Sequence, residues 1–342
     1  MMDETEIRKV VNRMREKKDL PLLEEKTPII SLPGGSEREF YRLPGDGGCV
    51  VMCGKTIEDF REYLEIQNFL EKRGVGVPHI LSTDENEKVI LMEDLGVETL
   101  TYCVENSKSD NETEDLYKAV LDHLVLLQMR GSEGIEECKS VYGRNFDFSV
   151  MRWESTYFTE EFLESFCGFS SKETAPLDGE FDSLAHSLEK ESRFFMHRDF
   201  QSQNIIYKNG EVRIIDFQTA HRGLLAYDIA ALLRDSYLIL PKEMREQLLR
   251  YYHSEVKDFV DSYADFRTFR EVYSRAAIQR NMQALGAFAF LSGRKKKIWF
   301  QRAIPQGLEY LREGLSEVDG LSRLKEIVNS KKVRQCEKLI QS

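Results

Sequence analysis

Asp199, Asn204 and Asp216 are the side chains of this 342-residue chain whose types and spacing point to a single reaction. They lie in Phe195-Met196-His197-Arg198-Asp199-Phe200-Gln201-Ser202-Gln203-Asn204 and, twelve residues further on, in Ile214-Ile215-Asp216-Phe217. The pattern is His-x-Asp-x-x-x-x-Asn followed by Asp-Phe. It sets one carboxylate to accept a hydroxyl proton, beside an amide and a second carboxylate that can ligate magnesium on a nucleotide's terminal phosphates. Phosphoryl transfer asks little more of a protein, because its catalysis is mostly positioning and charge neutralisation. Asp199 is the expected base, and Asn204 and Asp216 offer the hard oxygens that Mg²⁺ prefers.

Local sequence supplies the elements that must position these groups. An apolar strand, Phe194–Met196, leads into the loop that carries Asp199. Ile205-Ile206-Tyr207 and Val212-Arg213-Ile214-Ile215 read as two short strands joined by Lys208-Asn209-Gly210-Glu211, and Asn-Gly is a strong hairpin signal. Upstream, residues 3–18 read as a charged helix and strands are expected at 28–32, 40–43 and 49–53. A helix follows at 57–72, then a hairpin from Ile80-Leu81 to Val89–Met92. Gly34-Gly35-Ser36, between the first two strands, can cover phosphates with backbone amides, since glycine permits close approach. No Gly-x-x-x-x-Gly-Lys-Ser/Thr is present, which excludes a P-loop as the route to phosphate chemistry.

Beyond Glu93-Asp94-Leu95-Gly96 the pattern turns helical. Leu116, Val120, Leu124 and Leu127 recur at helical spacing, as do Trp153, Tyr157, Phe158, Phe162 and Phe166. Further helices are expected near 227–237, 242–262, 266–292 and 305–330. Ser107–Asp115 reads as an exposed loop and Arg294–Lys297 as a solvated turn. The expected fold is α+β in two lobes, a small antiparallel β-rich lobe over 1–94 and a larger, mostly helical one over 95–342.

Composition bounds the partners. A formal charge of −11 argues against nucleic acid, whose phosphates call for a basic surface. Six scattered cysteines show no zinc or redox spacing and read as reduced, small apolar residues. The first residues lack the apolar core of a signal peptide, and no run has the length of a membrane span. A cytoplasmic protein with no membrane partner is expected; oligomeric state is left open.

These motifs, with Gly223–Tyr237 and Gln279-Arg280-Asn281-Met282-Gln283-Ala284-Leu285-Gly286, resemble the aminoglycoside phosphotransferase/choline kinase-like family. Within it the chain is most similar to bacterial sugar kinases of the N-acetylmuramate/N-acetylglucosamine anomeric type. The resemblance implies a bilobal protein-kinase-like fold, ATP with Mg²⁺, and a small hydroxylated acceptor. By position it makes Asp199 the base, Asn204 and Asp216 the metal ligands, and Asp228 a brace for the catalytic loop. It makes Met92–Leu95 the hinge, where the backbone of Glu93 and Leu95 would meet adenine. Gln201, Trp153, Arg234 and Asp235 become candidate acceptor contacts, although each also suits a packing role.

One position departs from the family's pattern. The third strand should carry a lysine that pairs phosphates with a helix glutamate, yet Val50-Val51-Met52-Cys53 places Met52 there. Lys55 is the first candidate to replace it, with Glu62 or Glu65 as partner, and Arg38 and Arg42 lie nearby. Ten residues, Gln218 to Tyr227, separate Asp216-Phe217 from Asp228, with no Ala-Pro-Glu. That leaves little room for a peptide-substrate platform and argues against a protein kinase. Two other readings stay open. Glu154, Glu160, Glu161 and Glu164 could wall a polycationic aminoglycoside, or simply form an exposed helix face. The missing lysine could mark a non-catalytic nucleotide-binding scaffold, against which the intact Asp199, Asn204 and Asp216 argue.

Overall fold

The computed structural model describes residues 3–32, 38–45 and 47–341 of the chain; Gly34, Gly35 and Ser36, expected to cover the phosphates, lie outside them. The first lobe is built on β1 (Ile30–Leu32), β2 (Glu39–Leu43), β3 (Cys49–Cys53), β4 (Ile80–Asp84) and β5 (Val89–Glu93). They form one antiparallel sheet in the order β1-β2-β3-β5-β4. β3 is apolar at every position because both of its faces are covered. Val50 and Met52 share a cluster with Phe60, Tyr63, Ile66 and Leu70 of helix α2 (Ile57–Lys72). Cys49, Val51 and Cys53 pack with Ile7, Val10, Val11 and Met14 of helix α1 (Glu4–Glu16). Each such side chain removed from water contributes roughly 1.5–3 kcal/mol. Both helices open on capping boxes, Asp3 with Glu6 and Thr56 with Asp59, which fixes where they start.

Past Glu93 helices take over. They are α3 (Leu100–Glu105), α4 (Asp110–Ser132), α5 (Lys139–Tyr142), α6 (Phe148–Tyr157), α7 (Ser171–Thr174) and α8 (Asp178–Glu189). After the catalytic region come α9 (Leu225–Leu233), α10 (Lys242–Val256), α11 (Phe266–Gly293), α12 (Ile304–Glu317), α13 (Ser322–Val328) and α14 (Lys331–Gln341). Between these groups β6 (Phe194–Met196) pairs with β9 (His221–Gly223), and β7 (Ile205–Lys208) with β8 (Glu211–Ile214). Asn209 and Gly210 both take positive φ, 53° and 83°, which is the two-residue hairpin turn that Asn-Gly predicts. The fold is bilobal α+β, a small antiparallel sheet before a mostly helical remainder. Among the described residues no helix is long and apolar enough to cross a membrane, and none of the six cysteines forms a disulfide.

Several elements differ from the sequence reading. Ser107–Asp115 is not a loop throughout, because α4 already starts at Asp110. Ser109 Oγ accepts from Glu112 N, Asp110 and Glu112 sit at the helix's positive end, and Thr113 and Tyr117 are buried. The helix expected over 305–330 breaks between Glu317 and Ser322, with Gly320 at φ 86°. The helices expected over 227–237 and 242–262 end at Leu233 and Val256. After α6 the chain runs on as a π-helix, Phe158–Phe166, packed against α11. Gly286 permits that approach, since a Cβ there would meet the Tyr157 ring at 2.9 Å and the Phe158 backbone at 3.2 Å.

Candidate active site

β6 and β9 hold one end of the catalytic loop, and α9 holds its start. Asp228, buried in α9, accepts from the backbone N–H groups of His197 and Arg198 at 2.8 Å each. The bracing role that the resemblance implied for Asp228 has this geometric form. Burial pushes its carboxyl up to about 7, although those two N–H groups and Arg280 pull the other way. Arg198 has φ 75°, a left-handed conformation that costs on the order of 1–3 kcal/mol and has to be held by its surroundings. His197 is fully buried and its Nε2 lies 3.1 Å from the Ile215 carbonyl, so the ring ties the loop to the residue before Asp216. Burial lowers that imidazole to about 4, which keeps it neutral.

The structure brings Asp199, Asn204 and Asp216 together. Asn204 Nδ2 donates to the Asp199 carbonyl at 3.0 Å and lies 3.4 Å from Asp199 Oδ2. Its Oδ1 is therefore the atom it can offer a cation. Asp216 stands at φ 65° and accepts from Gln218 Nε2 at Oδ1. Burial, and then the nearby charge of Asp199, push the Asp216 carboxyl up. Two carboxylates that repel each other beside an amide oxygen make a site that a divalent cation would relieve. Among the described residues no three His, Cys, Asp or Glu side chains could hold a metal unaided. Phosphate oxygens and water would have to complete the shell, as suits Mg²⁺.

On the far side of Asp199, α11 supplies Arg280. Its Nη2 donates to Asp199 Oδ1 at 3.1 Å and its Nη1 to Gln283 at 2.8 Å. Gln201, Arg234, Asp235, Arg280 and Asn281 line a small pocket there. Of the expected acceptor contacts, Arg234 and Asp235 are turned largely inward. Asp235 accepts from Ser202 N at 2.8 Å and Ser202 Oγ at 2.6 Å. Arg234 donates to the Tyr310 carbonyl and sits near Glu313 and Glu317. Trp153 lies elsewhere, exposed and stacked on Tyr157 at 5.3 Å, lining a second cavity of about 340 Å³ with Arg198 and His221. Glu154 corrects the exposed-face reading: it is wholly buried, accepting from Arg198 at 2.9 Å, Tyr227 at 3.1 Å and Gln279 at 3.1 Å. Glu161 is also buried, paired with Arg294 at 2.8 Å.

In the small lobe Met52 is fully buried in the lysine's place. Lys55 lies on the exposed bend between β3 and α2. Its two expected partners are engaged by other groups, Glu62 by Arg144 at 2.7 Å and Glu65 by the amides of Lys139 and Ser140. At the expected hinge, the Glu93 carboxylate binds Arg213 of β8 at 2.7 Å, which joins the lobes, and its backbone N–H donates to the His79 carbonyl at 2.9 Å. Leu95 follows, half-buried, beside the Asp94–Arg42 pair at 3.0 Å.

The sequence model of the phosphotransferase enzyme family (APH) matches residues 29–269, well over half of the chain. The chain belongs to this family. This phosphotransferase is 26% identical over 320 residues to a protein from Pseudomonas aeruginosa named N-acetylmuramate/N-acetylglucosamine kinase, covering 90% of each. A protein of the same name from Neisseria meningitidis is 26% identical over 281 residues, 80% of this chain and 81% of its own. Among solved structures, ADP-bound aminoglycoside phosphotransferase APH(2'')-Ib matches with TM-score 0.59 at 17% identity, over 91% of this chain and 99% of its own. An ethanolamine kinase from Plasmodium vivax matches with TM-score 0.62 at 15% identity, over 92% and 90%. At such identities the two structures establish the fold alone. The family and the kinase relatives make this phosphotransferase an enzyme that transfers phosphate to a hydroxyl.

Reasoning from sequence gave Arg280 and Tyr237 no role in the site of the phosphotransferase, and Glu154 only that of a possible acidic wall. Tyr237 is close enough that, after burial, the charges of Asp199 and Asp235 raise its hydroxyl. A signal for Arg280 existed. Gln279-Arg280-Asn281 is a polar run inside the mostly apolar stretch from Ala276 to Phe290 of the helix, and all three are buried. A run of that kind has to be satisfied by other polar groups in the interior.

Proposed function

We propose that this phosphotransferase moves the γ-phosphate of ATP, with Mg²⁺, onto a hydroxyl of an N-acetylated amino sugar, at the anomeric carbon. The observation that carries the reading is the setting of Asp199. One carboxylate oxygen faces Asn204 on the metal side, and the other faces Arg280 and the polar wall of Gln201 and Asn281. An acceptor hydroxyl entering from that wall meets a base already oriented. The names of relatives aligned over most of both chains support an amino sugar as the acceptor. Bound Mg²⁺ would neutralise phosphate charge between Asn204 and Asp216. In this reading residues 1–94 hold the nucleotide, residues 95–342 hold the acceptor, and the enzyme works in the cytoplasm where ATP is at hand.

The test is an ATP-consumption screen with N-acetylglucosamine, N-acetylmuramate, other hexoses, choline, ethanolamine and aminoglycosides, with Asp199→Asn alongside. The amino sugars are expected to give the highest kcat/KM and a phosphate labile to mild acid, as anomeric phosphates are. Asp199→Asn is expected to lose roughly 10²–10⁴-fold in rate. A higher kcat/KM for choline or an aminoglycoside, or wild-type turnover by Asp199→Asn, would refute the reading.

A further inference from the structure

We propose that Arg38, ahead of the second strand, does the work of the absent third-strand lysine and grips the non-transferred phosphates of the nucleotide. The inference rests on the nucleotide-dependent reading above. In kinase folds that lysine is held by a helix glutamate while it binds the α- and β-phosphates. The sequence around the third strand offers three cations for the place, Lys55, Arg42 and Arg38. Lys55 stands on the exposed bend after β3. Arg42 is committed to the hinge, 3.0 Å from Asp94 and 2.6 Å from the Gly96 carbonyl.

Arg38 remains, and its surroundings match the role. Met52 packs on the α2 side of the sheet, with Phe60 and Tyr63, and Arg38, in the bend just before β2, turns its guanidinium to that same helix. Its Nη2 lies 3.2 Å from Asp59 and 4.0 Å from Glu62, both on α2, which reproduces the cation–helix-carboxylate pair with the cation moved one strand over. Glu62 in turn binds Arg144, and Arg144 Nη1 donates to the Gln218 carbonyl at 2.7 Å. Gln218 holds Asp216, so a chain of charge-assisted contacts runs from Arg38 to the metal carboxylate. Tyr63 of α2 packs tilted against Phe217, ring centroids 5.0 Å apart, and the charges of both Asp216 and Arg38 reach its hydroxyl. A guanidinium suits the place, since its planar fork meets two phosphate oxygens at once and stays charged when largely buried.

The experiment compares affinities of the folded enzyme for Mg·ADP and for adenosine, with no sugar present. In Arg38→Met the affinity for ADP is expected to fall about 10- to 100-fold and that for adenosine to hold within two-fold. Arg38→Lys, the milder change should the first fail to fold, is expected to lose ADP affinity less but still selectively. Adding Met52→Lys to Arg38→Met is expected to restore most of the ADP affinity. Equal loss for ADP and adenosine would mean that Arg38 only braces α2, and would overturn the proposal. So would unchanged ADP affinity, or a folded double variant with no recovery. A wild-type enzyme that binds neither compound would sink the nucleotide reading itself, a result distinct from the others.

Discussion

Arg280 Nη2 donates to Asp199 Oδ1 across 3.1 Å, so the proposed base is held by a helix that begins far downstream of the catalytic loop. The same guanidinium donates to Gln283, and against the burial that disfavours it, its charge is supported by Asp199, Glu154 and Asp235. Arg280 thus fixes where Asp199 points on the side from which an acceptor would come.

Replacing Arg280 by Gln is expected to lower kcat by about 100-fold through misplacement of the base. KM for ATP should stay within two-fold, because the contact lies on the acceptor side. Arg280→Lys should preserve more of the stability than Arg280→Gln, since a buried cation still faces Asp235 and Glu154. It should recover little of the rate, because an ammonium cannot reach Asp199 and Gln283 together. Steady-state kinetics with each substrate varied would decide, and a rise confined to KM for ATP would contradict the assignment.

Asp216 carries a stability cost that the proposed metal-binding role would explain. Burial and the charge of Asp199 both disfavour its ionised form, so the folded state gains when that charge is removed. Asp216→Asn is expected to raise the Tm of the metal-free protein at pH 7 while cutting turnover roughly 10²–10³-fold, the worth of several kcal/mol of metal stabilisation. Mg·ADP should raise the wild-type Tm and leave the variant's nearly unmoved. A variant that melts lower than wild type without metal would show that Asp216 is held ionised by contacts that outweigh Asp199.

Glu154 is the buried anion that keeps Arg198 in its left-handed conformation beside Asp199. Removing one partner of a buried ion pair leaves the other uncompensated. Glu154→Ala is therefore expected to lower unfolding stability by about 3–5 kcal/mol in urea titrations, and Glu154→Gln by less, since the amide can still accept from Tyr227. A loss under about 1 kcal/mol for the alanine variant would mean that Arg198 finds another partner.

Local features of this fold were legible from local sequence. The Asn209-Gly210 turn, the helix over Ile57–Lys72 and the Cys49–Cys53 strand each follow from residues within a few positions of one another. Asp199, Asn204 and Asp216 were legible for the same reason, since one loop and one hairpin fix their spacing. The lining of the site was not. Glu154 sits 44 residues from Arg198, and Arg280 sits 81 from Asp199, so helical spacing showed a face without saying what it meets. The acidic run before Asp115 looked like loop because its polarity hid a cap at Ser109. The π-helical turns after Tyr157 answer to packing against α11 at Gly286, which no period within that segment encodes.

His197 sets a pH limit on the fold. Its imidazole is pushed down to about 4 in the folded protein, from an ordinary 6.5, because burial excludes the charged form more strongly than Asp199 and the bond to the Ile215 carbonyl favour it. Between pH 6.5 and 4 the unfolded chain binds a proton on this ring that the folded chain does not. Stability from this group is thus fully present above 6.5 and is lost as the pH falls, at about 1.4 kcal/mol per unit and roughly 3 kcal/mol over the window. His197→Gln keeps a donor for the Ile215 carbonyl but binds no proton. Urea unfolding at pH 7, 6, 5 and 4 should therefore show the variant below wild type in stability at pH 7 and losing less of it by pH 4. Parallel curves for the two proteins would mean that the ring takes up its proton inside the folded state, which would require a rearranged catalytic loop.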